Sequence, residues 1–241
     1  MSNPTAAMLV IGDEILSGRT RDSNMHHLAK ELTGRGIRLL EARVVADDHA
    51  AIVAAVRALS AAHDHVFTSG GIGPTHDDIT ADAVAEAMGA TIDVREDARA
   101  LLVAHYQRTG LELNAMRLRM ARIPKGATLI DNPISAAPGF SLGNVHVMAG
   151  VPAIFETMLA SLLPTLSGGE PLLSQMIDVQ RGEGEIAEAL AELAARYGDL
   201  SFGSYPWTRN GVYGTQLVVR GTNAARIDAA MVELAQIAGA A

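Results

Sequence analysis

The chain has 241 residues, 49% of them hydrophobic and 19% charged, with 23 Gly, 9 Pro and no Cys. That composition excludes fibrous, collagenous and disordered classes, and the missing Cys excludes disulfides, thiolate zinc sites and cysteine nucleophiles. Nineteen Lys plus Arg against 27 Asp plus Glu leave a net charge of -8, a field that repels nucleic acid and anionic membrane surfaces.

Apolar β-branched runs alternate with Ala/Leu-rich helical stretches, the pattern of a parallel sheet covered by helices on both faces. Ala6 to Gly12 predicts a buried first strand, and Asn24 to Arg35 a helix with Met25, Leu28, Ala29 and Leu32 at helical spacing. Ile37 to Val45 predicts a second strand, Ala50 to Ala62 a helix, His65 to Ser69 a third strand and Thr80 to Met88 a helix after a glycine-rich loop. Helices follow over Glu96 to Thr109 and Asn114 to Ala121, then a hairpin over Gly139 to Ala149 turning at Gly143-Asn144, then a helix over Ala153 to Leu163. Ser167-Gly168-Gly169-Glu170-Pro171 reads as a linker, which sets a domain of residues 1–166 before a small α+β unit of residues 167–241. In that unit the expected order is strand (Gln175 to Gln180), helix (Glu183 to Arg196), strand (Ser201 to Tyr205), strand (Thr215 to Arg220) and helix (Ala224 to Ile237). The N-terminal residues lack the pattern of a signal peptide, and no window approaches the ~18 apolar residues of a membrane span. A cytoplasmic protein is expected.

The strongest local signal is Thr68 to Thr80, TSGGIGPTHDDIT, which leaves a buried strand and enters a helix. Gly70, Gly71 and Gly73 permit positive φ and close ligand approach, and a loop at the carboxyl edge of an α/β sheet aims backbone N–H groups and a helix N-terminus at an anion. Ser69, Pro74 and Thr75 belong to the same candidate site. A tight turn with Asp77 or Asp78 as helix cap is the alternative. Two adjacent carboxylates beside bound phosphate repel each other, and a divalent cation, by default Mg²⁺, would relieve the repulsion. A second acidic pair, Asp13-Glu14, follows Gly12 directly after the first strand and so sits at the same sheet edge, unless Asp13 only caps a turn. Asp131 to Phe140 and Met148 to Pro152 are further turn-rich loops at that edge, with Pro138, Gly139 and Gly150 permitting backbone approach to a ligand.

The chain contains no G-x-G-x-x-G after the first strand, no G-x-x-x-x-G-K-[ST], no H-E-x-x-H and no G-x-S-x-G. Dinucleotide redox chemistry, P-loop hydrolysis, zincin chemistry and serine hydrolysis all lose support. His26-His27 and His63-x-His65 read as ordinary surface or core residues, and Met116, Met120 and Met158 as core filler.

GDEILSG (12–18), Ser23-Asn24, TSGGIGPTHDDIT (68–80), NPISAAPGF (132–140) and MAGVPAIFETM (148–158) together resemble, in order and spacing, the molybdopterin-binding (MoaB/Mog-like) domain family. The GGIGPTHDDIT form is most similar to the CinA (competence/damage-inducible protein) branch and to the related domain fused to FAD synthetases. The resemblance covers residues 5–165, and more weakly the tail, through Gly203-Ser204-Tyr205-Pro206. It implies a three-layer α/β/α fold, a pterin phosphate or nucleotide as ligand, and assembly as a homo-oligomer, a dimer or trimer. It also implies metal or catalytic roles for Asp13, Glu14, Asp77 and Asp78, and ligand binding by Ser23, Asn24, Gly70, Gly71, Gly73 and Thr75. The functions to weigh are molybdopterin or nucleotide binding with adenylyl transfer, metal-dependent hydrolysis of ADP-ribose or FAD, and a regulatory module without turnover. The amidohydrolase domain often fused behind CinA has no room here, so nicotinamide-nucleotide deamidation is not expected.

Overall fold

A computed structural model describes residues 3–237 and 239 of the chain. It divides into two compact units, residues 1–169 and 170–241. The first unit runs β1 (Thr5–Ile11), α1 (Asp13–Leu16), α2 (Asn24–Gly34), β2 (Arg38–Val45), α3 (His49–Ala62), β3 (His65–Ser69), α4 (Thr80–Ala87), β4 (Ile92–Val94), α5 (Glu96–Thr109) and α6 (Ala115–Leu118). It continues with a 3-10 turn (Arg119–Ala121), β5 (Arg122–Pro124), β6 (Thr128–Ile130), β7 (Gly139–Leu142), β8 (Val145–Met148), α7 (Pro152–Leu162) and a second 3-10 turn (Leu163–Thr165).

Six strands form the central sheet in the order β2-β1-β3-β8-β7-β6. The pairs β1–β2, β1–β3 and β3–β8 are parallel, whereas β8–β7 and β7–β6 are antiparallel. Period-two alternation in β1 splits the core: Ala7, Leu9 and Ile11 pack on one side with Ile52, Val56 and Leu59 of α3, Val84 of α4 and Leu102 of α5. Ala6, Met8 and Val10 pack on the other with Leu28 and Leu32 of α2 and Phe155, Met158 and Leu159 of α7. Both sheet faces are therefore buried, which explains why β1 is apolar at nearly every position. The arrangement is the expected three-layer α/β/α fold.

Local chemistry sets the helix ends. Asp48 caps α3 by accepting from Ala51 N at 2.8 Å, Gly110 takes left-handed φ of 71° after α5, and Pro152 occupies the first turn of α7. At the lower edge of the sheet Asn144, in the β7–β8 turn, closes over the end of α3. Its amide donates to the carbonyls of Ser60 (2.9 Å) and His63 (2.8 Å) and accepts from Ser60 Oγ at 2.6 Å, while its own carbonyl accepts from Val66 N.

The structure departs from expectation at short elements. The helix expected over Asn114 to Ala121 is one α-turn followed by a 3-10 turn, and α1, β4, β5 and β6 add short pieces that no periodicity announces. Among the described residues, no helix is long and apolar enough to cross a membrane.

The second unit runs β9 (Leu173–Val179), α8 (Glu183–Arg196), β10 (Ser201–Arg209), β11 (Val212–Gly221) and α9 (Ala224–Ile237). Its three strands are antiparallel in the order β10-β11-β9. Val179, Leu217 and Val219 meet Ile186 and Leu193 of α8 and Ile227, Ala230 and Leu234 of α9 in a separate core. The β10–β11 hairpin is longer than expected, reaching Arg209 and Val212 around the turn at Asn210-Gly211.

A half-buried polar chain crosses β3, β8 and β7: His65 Nδ1 contacts His146 Nε2 at 3.2 Å, and His146 Nδ1 contacts Ser141 Oγ at 2.8 Å. Burial, and secondarily the charge of His65, pushes the His146 imidazole down to about 4. The unfolded chain, with a normal imidazole, binds more protons than the folded chain between about pH 6.5 and 4, so stability falls as pH drops through that window. Urea titrations at pH 7 and pH 4.5 should show a loss of about 2 kcal/mol from this group, and His146→Gln should flatten the slope.

Candidate functional site

The carboxyl ends of the parallel strands converge on a cleft of about 540 Å³, inside the roughly 300–1,000 Å³ range of small-molecule sites. The cleft lies between the carboxyl ends of neighbouring β1 and β3, from which the chain leaves toward opposite sides of the sheet, from β1 to β2 and from β3 toward β6, β7 and β8, a topological switch point.

Beyond β1, Gly12 N donates to Val45 O at 3.1 Å, and the chain then turns through α1. This helix of four residues is too short to hold itself. Its first N–H, from Asp13, is taken by Asp47 Oδ2 at 2.9 Å. Asp47 stands two residues beyond β2 and lines the cleft together with Gly12 and Glu14. Burial raises the Asp47 carboxyl above its usual range, and the negative charges of Asp13, Glu14 and Asp77 push it the same way.

Beyond β3 the backbone must turn sharply. Gly70 adopts φ of 110°, and a Cβ there would collide with the Ile11 carbonyl oxygen. Gly71 adopts φ of 67°, and a Cβ there would collide with Thr80 Oγ1, while Thr80 N returns a bond to the Gly71 carbonyl at 3.0 Å. Side chains are excluded at both positions by contact and by conformation. The distal part of the loop is closed by Asp78, whose Oδ2 accepts from Thr75 N (2.8 Å) and Thr75 Oγ1 (2.5 Å). Asp78 thus both faces the cleft and fixes the loop.

The remaining wall comes from two turns. Asn132 is buried and holds its own loop, donating to Ser135 Oγ (2.7 Å) and the Ala137 carbonyl (2.8 Å) and accepting from the N–H groups of Ile134 and Ser135. Gly150, Val151 and Pro152 bring the N-terminal end of α7 to the cleft, which favours an anion there.

Of the residues singled out in the sequence, Gly12, Glu14, Gly70, Gly71, Gly73, Pro74, Asp77, Asp78 and Gly150 line the cleft. Asp13 enters by its backbone bond to Asp47, and Thr75 by its bonds to Asp78. Ser23 precedes α2, and Asn24 is buried beneath the site, where its amide donates to Ser69 Oγ and the Gly150 carbonyl, both at 2.8 Å. Ser69 and Asn24 therefore clip β3 to the loop after β8. Pro138 lines a smaller neighbouring cavity, and Gly139 packs against the Val147 carbonyl and Met158. Asp47 is the lining carboxylate that sequence reasoning passed over; its signal was an Asp-Asp pair just past the second strand. The wall presents Glu14, Asp47, Asp77 and Asp78 and no Lys, Arg or His. Among the described residues, no group of three His, Asp or Glu side chains is placed to hold a metal ion.

Gly70→Ala should cost about 1–3 kcal/mol through forced backbone strain and contact, measured by urea unfolding. Gly34→Ala at the end of α2, where a Cβ meets nothing, should leave stability unchanged or raise it by about 0.4–1 kcal/mol.

Comparison with known proteins places this geometry. Residues 7–168 match the family model described as "Probable molybdopterin binding domain", and residues 171–240 match "FAD synthase, middle domain". A "Probable FAD synthase" of Caenorhabditis elegans is 32% identical over 259 residues, taking in 97% of this chain and 50% of that protein. A "CinA-like protein" of Citrifermentans bemidjiense is 41% identical over 167 residues, taking in 67% of this chain and 40% of that protein. The chain thus spans about half the length, or less, of these curated relatives. The crystal structure of the protein CinA from Thermoplasma acidophilum is 34% identical with a TM-score of 0.62, covering 67% of this chain and 98% of that one. The chain belongs to the molybdopterin-binding domain family, in the branch that contains CinA.

Proposed function

We propose that the cleft binds the phosphate of a pterin or nucleotide together with a divalent cation. The observation that carries this reading is the charge of the wall: four carboxylates and no cationic side chain, beneath a glycine loop and a helix N-terminus. Backbone N–H groups alone would leave a phosphate facing uncompensated negative charge, and hard carboxylate oxygens suit Mg²⁺ or a similar cation. Glu14, Asp47 and Asp77 are the side chains suited to hold it, and the repulsion that adds to burial in raising Asp47 would fall on binding. Such a cation polarises phosphoryl oxygens and neutralises their charge. The matches to molybdopterin-binding and FAD synthase models support a pterin or nucleotide ligand.

A second reading, hydrolysis of a nucleotide pyrophosphate, is favoured by Asp47 itself, because a carboxylate held above its usual range is a stronger base. In that reaction the oxygen of water bonds to phosphorus as the bridging P–O bond breaks. The carboxylate takes the proton of the water, and the phosphate released leaves as its own anion. Glycine-loop N–H groups hold the phosphoryl oxygens in place, and Asp78 keeps the loop closed through Thr75.

Exposed Leu16, Ile134 and Val151 lie on segments that form the cleft, and this apolar set supports assembly as a dimer or trimer. The net charge of -8 favours small-molecule over nucleic-acid partners, and the Cys-free sequence fits a cytoplasmic setting.

AMP release from ADP-ribose and FAD, with Mg²⁺, Mn²⁺ or Co²⁺ added, tests hydrolysis. Metal-dependent release that falls about 100-fold or more in Asp47→Asn and Asp77→Asn, with melting temperatures preserved, would establish it. Absence of release, with nucleotide or pterin phosphate still retained, would leave a binding protein. Retention of neither ligand would overturn the assignment of the cleft.

A further inference from the structure

The sheet of the first unit ends on two unlike edges. At one, β6 is three residues long; at the other, β2 runs for eight residues and pairs on one side, with β1. Leu40 is the extra residue of a bulge, and from Glu41 to Val45 the register with β1 is unbroken. The Val45 carbonyl accepts from Gly12 N and so points to β1; alternation turns the N–H and C=O groups of Ala42 and Val44 away from the sheet. Leu40 and Val44 are 52% and 43% exposed, and Ala42 between them is exposed too. A regular edge with apolar side chains is a template for another strand. Glu41 and Arg43 share the other face, where Glu41 is held by Arg43 Nε at 2.5 Å and His63 Nε2 at 3.3 Å. Arg43 engages through Nε, and its two Nη groups make no hydrogen bond among the described residues.

The strand that fits this edge is a second copy of itself. Laid antiparallel about a twofold axis through Ala42, two β2 strands set Glu41 of each copy opposite Arg43 of the other, Ala42 opposite Ala42 and Leu40 opposite Val44. Opposite charges directly across a strand pair are favourable and like charges unfavourable, and the unused Nη groups of Arg43 gain a carboxylate acceptor. Moving the axis by one residue sets Glu41 against Glu41 or Arg43 against Arg43. Charge therefore selects one register. Each copy has a single free β2 edge, so the contact closes with two copies.

We propose that two copies of this chain associate by antiparallel pairing of their β2 strands about Ala42, joining the two six-stranded sheets edge to edge. The inference goes beyond the assembly read from the exposed tips at the cleft, since it rests on a different surface and fixes the number of copies at two. Sedimentation of the full chain from about 1 to 500 µM should show a monomer–dimer equilibrium. The chain has no Cys, so single cysteines report the register. Under mild oxidation Ala42→Cys should give a disulfide-linked dimer, its two copies facing each other at about 5.5 Å between Cα atoms. Leu40→Cys and Val44→Cys should not, because each lies about four residues, ~13 Å, from its own copy. Arg43→Glu, which sets like charges opposite twice, should weaken association by about 10-fold; combining it with Glu41→Arg should restore association. Ala42 is exposed, so the cysteine scan decides the matter if the charge variants lose their fold. A monomer at every concentration overturns this proposal and the assembly read from the tips together. A dimer or larger particle that the three cysteines link equally, or that none links, overturns the role of β2 and leaves the tips standing.

Discussion

The approach of Gly70 to the carbonyl of Ile11 governs the rest of the site. It brings the ends of β1 and β3 together so closely that no side chain fits between them, and it leaves the loop after β3 free to turn over the sheet edge. Asn24 secures the same junction from below by bonding Ser69 and Gly150 at once. Three segments distant in sequence are thus held at one point, and the cleft is the space that their exits leave open. A site assembled this way is positioned by the sheet and by one buried amide, with Asp78 and Asn132 holding the loops themselves.

The electrostatics follow from that geometry. Carboxyl ends of parallel strands gather Glu14, Asp47, Asp77 and Asp78 into one wall, and burial turns their proximity into a raised carboxyl at Asp47. Such an arrangement is unfavourable alone and becomes favourable with a counter-charge, which is how binding sites commonly trade stability for affinity. The carboxylates also differ in duty. Asp78 is bound to its own loop through Thr75, whereas Asp47 caps the short α1 from 34 residues away.

Much of this was legible in the sequence, and the illegible parts share a cause. Runs such as Ala6 to Ile11 and His65 to Ser69 announce buried strands because both sheet faces are covered, and the glycine loop announces itself by composition. Elements of three or four residues, α1 and β4 to β6, have no periodicity to detect; long-range contacts stabilise them. Asp47 is hard to read from sequence, because the adjacent Asp48 is a helix cap and an Asp-Asp pair there needs no further role. Asn24 reads as a ligand contact in the sequence; in the structure its amide nitrogen bonds Ser69 and Gly150 beneath the cleft, and its Oδ1 is buried without a partner. Hairpin length in the second unit was cut short by Pro206 and Gly214, residues that read as turn formers and here lie within paired strands.

Asn144 gives the first unit an uneven mechanical character. Its side chain fastens the turn between β7 and β8 to the end of α3, through bonds of 2.6 to 2.9 Å, at the edge of the sheet remote from the cleft. The opposite edge carries the glycines, the four-residue helix and the exposed apolar tips. Local opening is therefore expected to be easier at the glycine-rich rim than at the Asn144 end. Ligand exchange can draw on fluctuations of the rim while strand register, locked at the far end, stays fixed, so the sheet acts as an anvil against which the loops move.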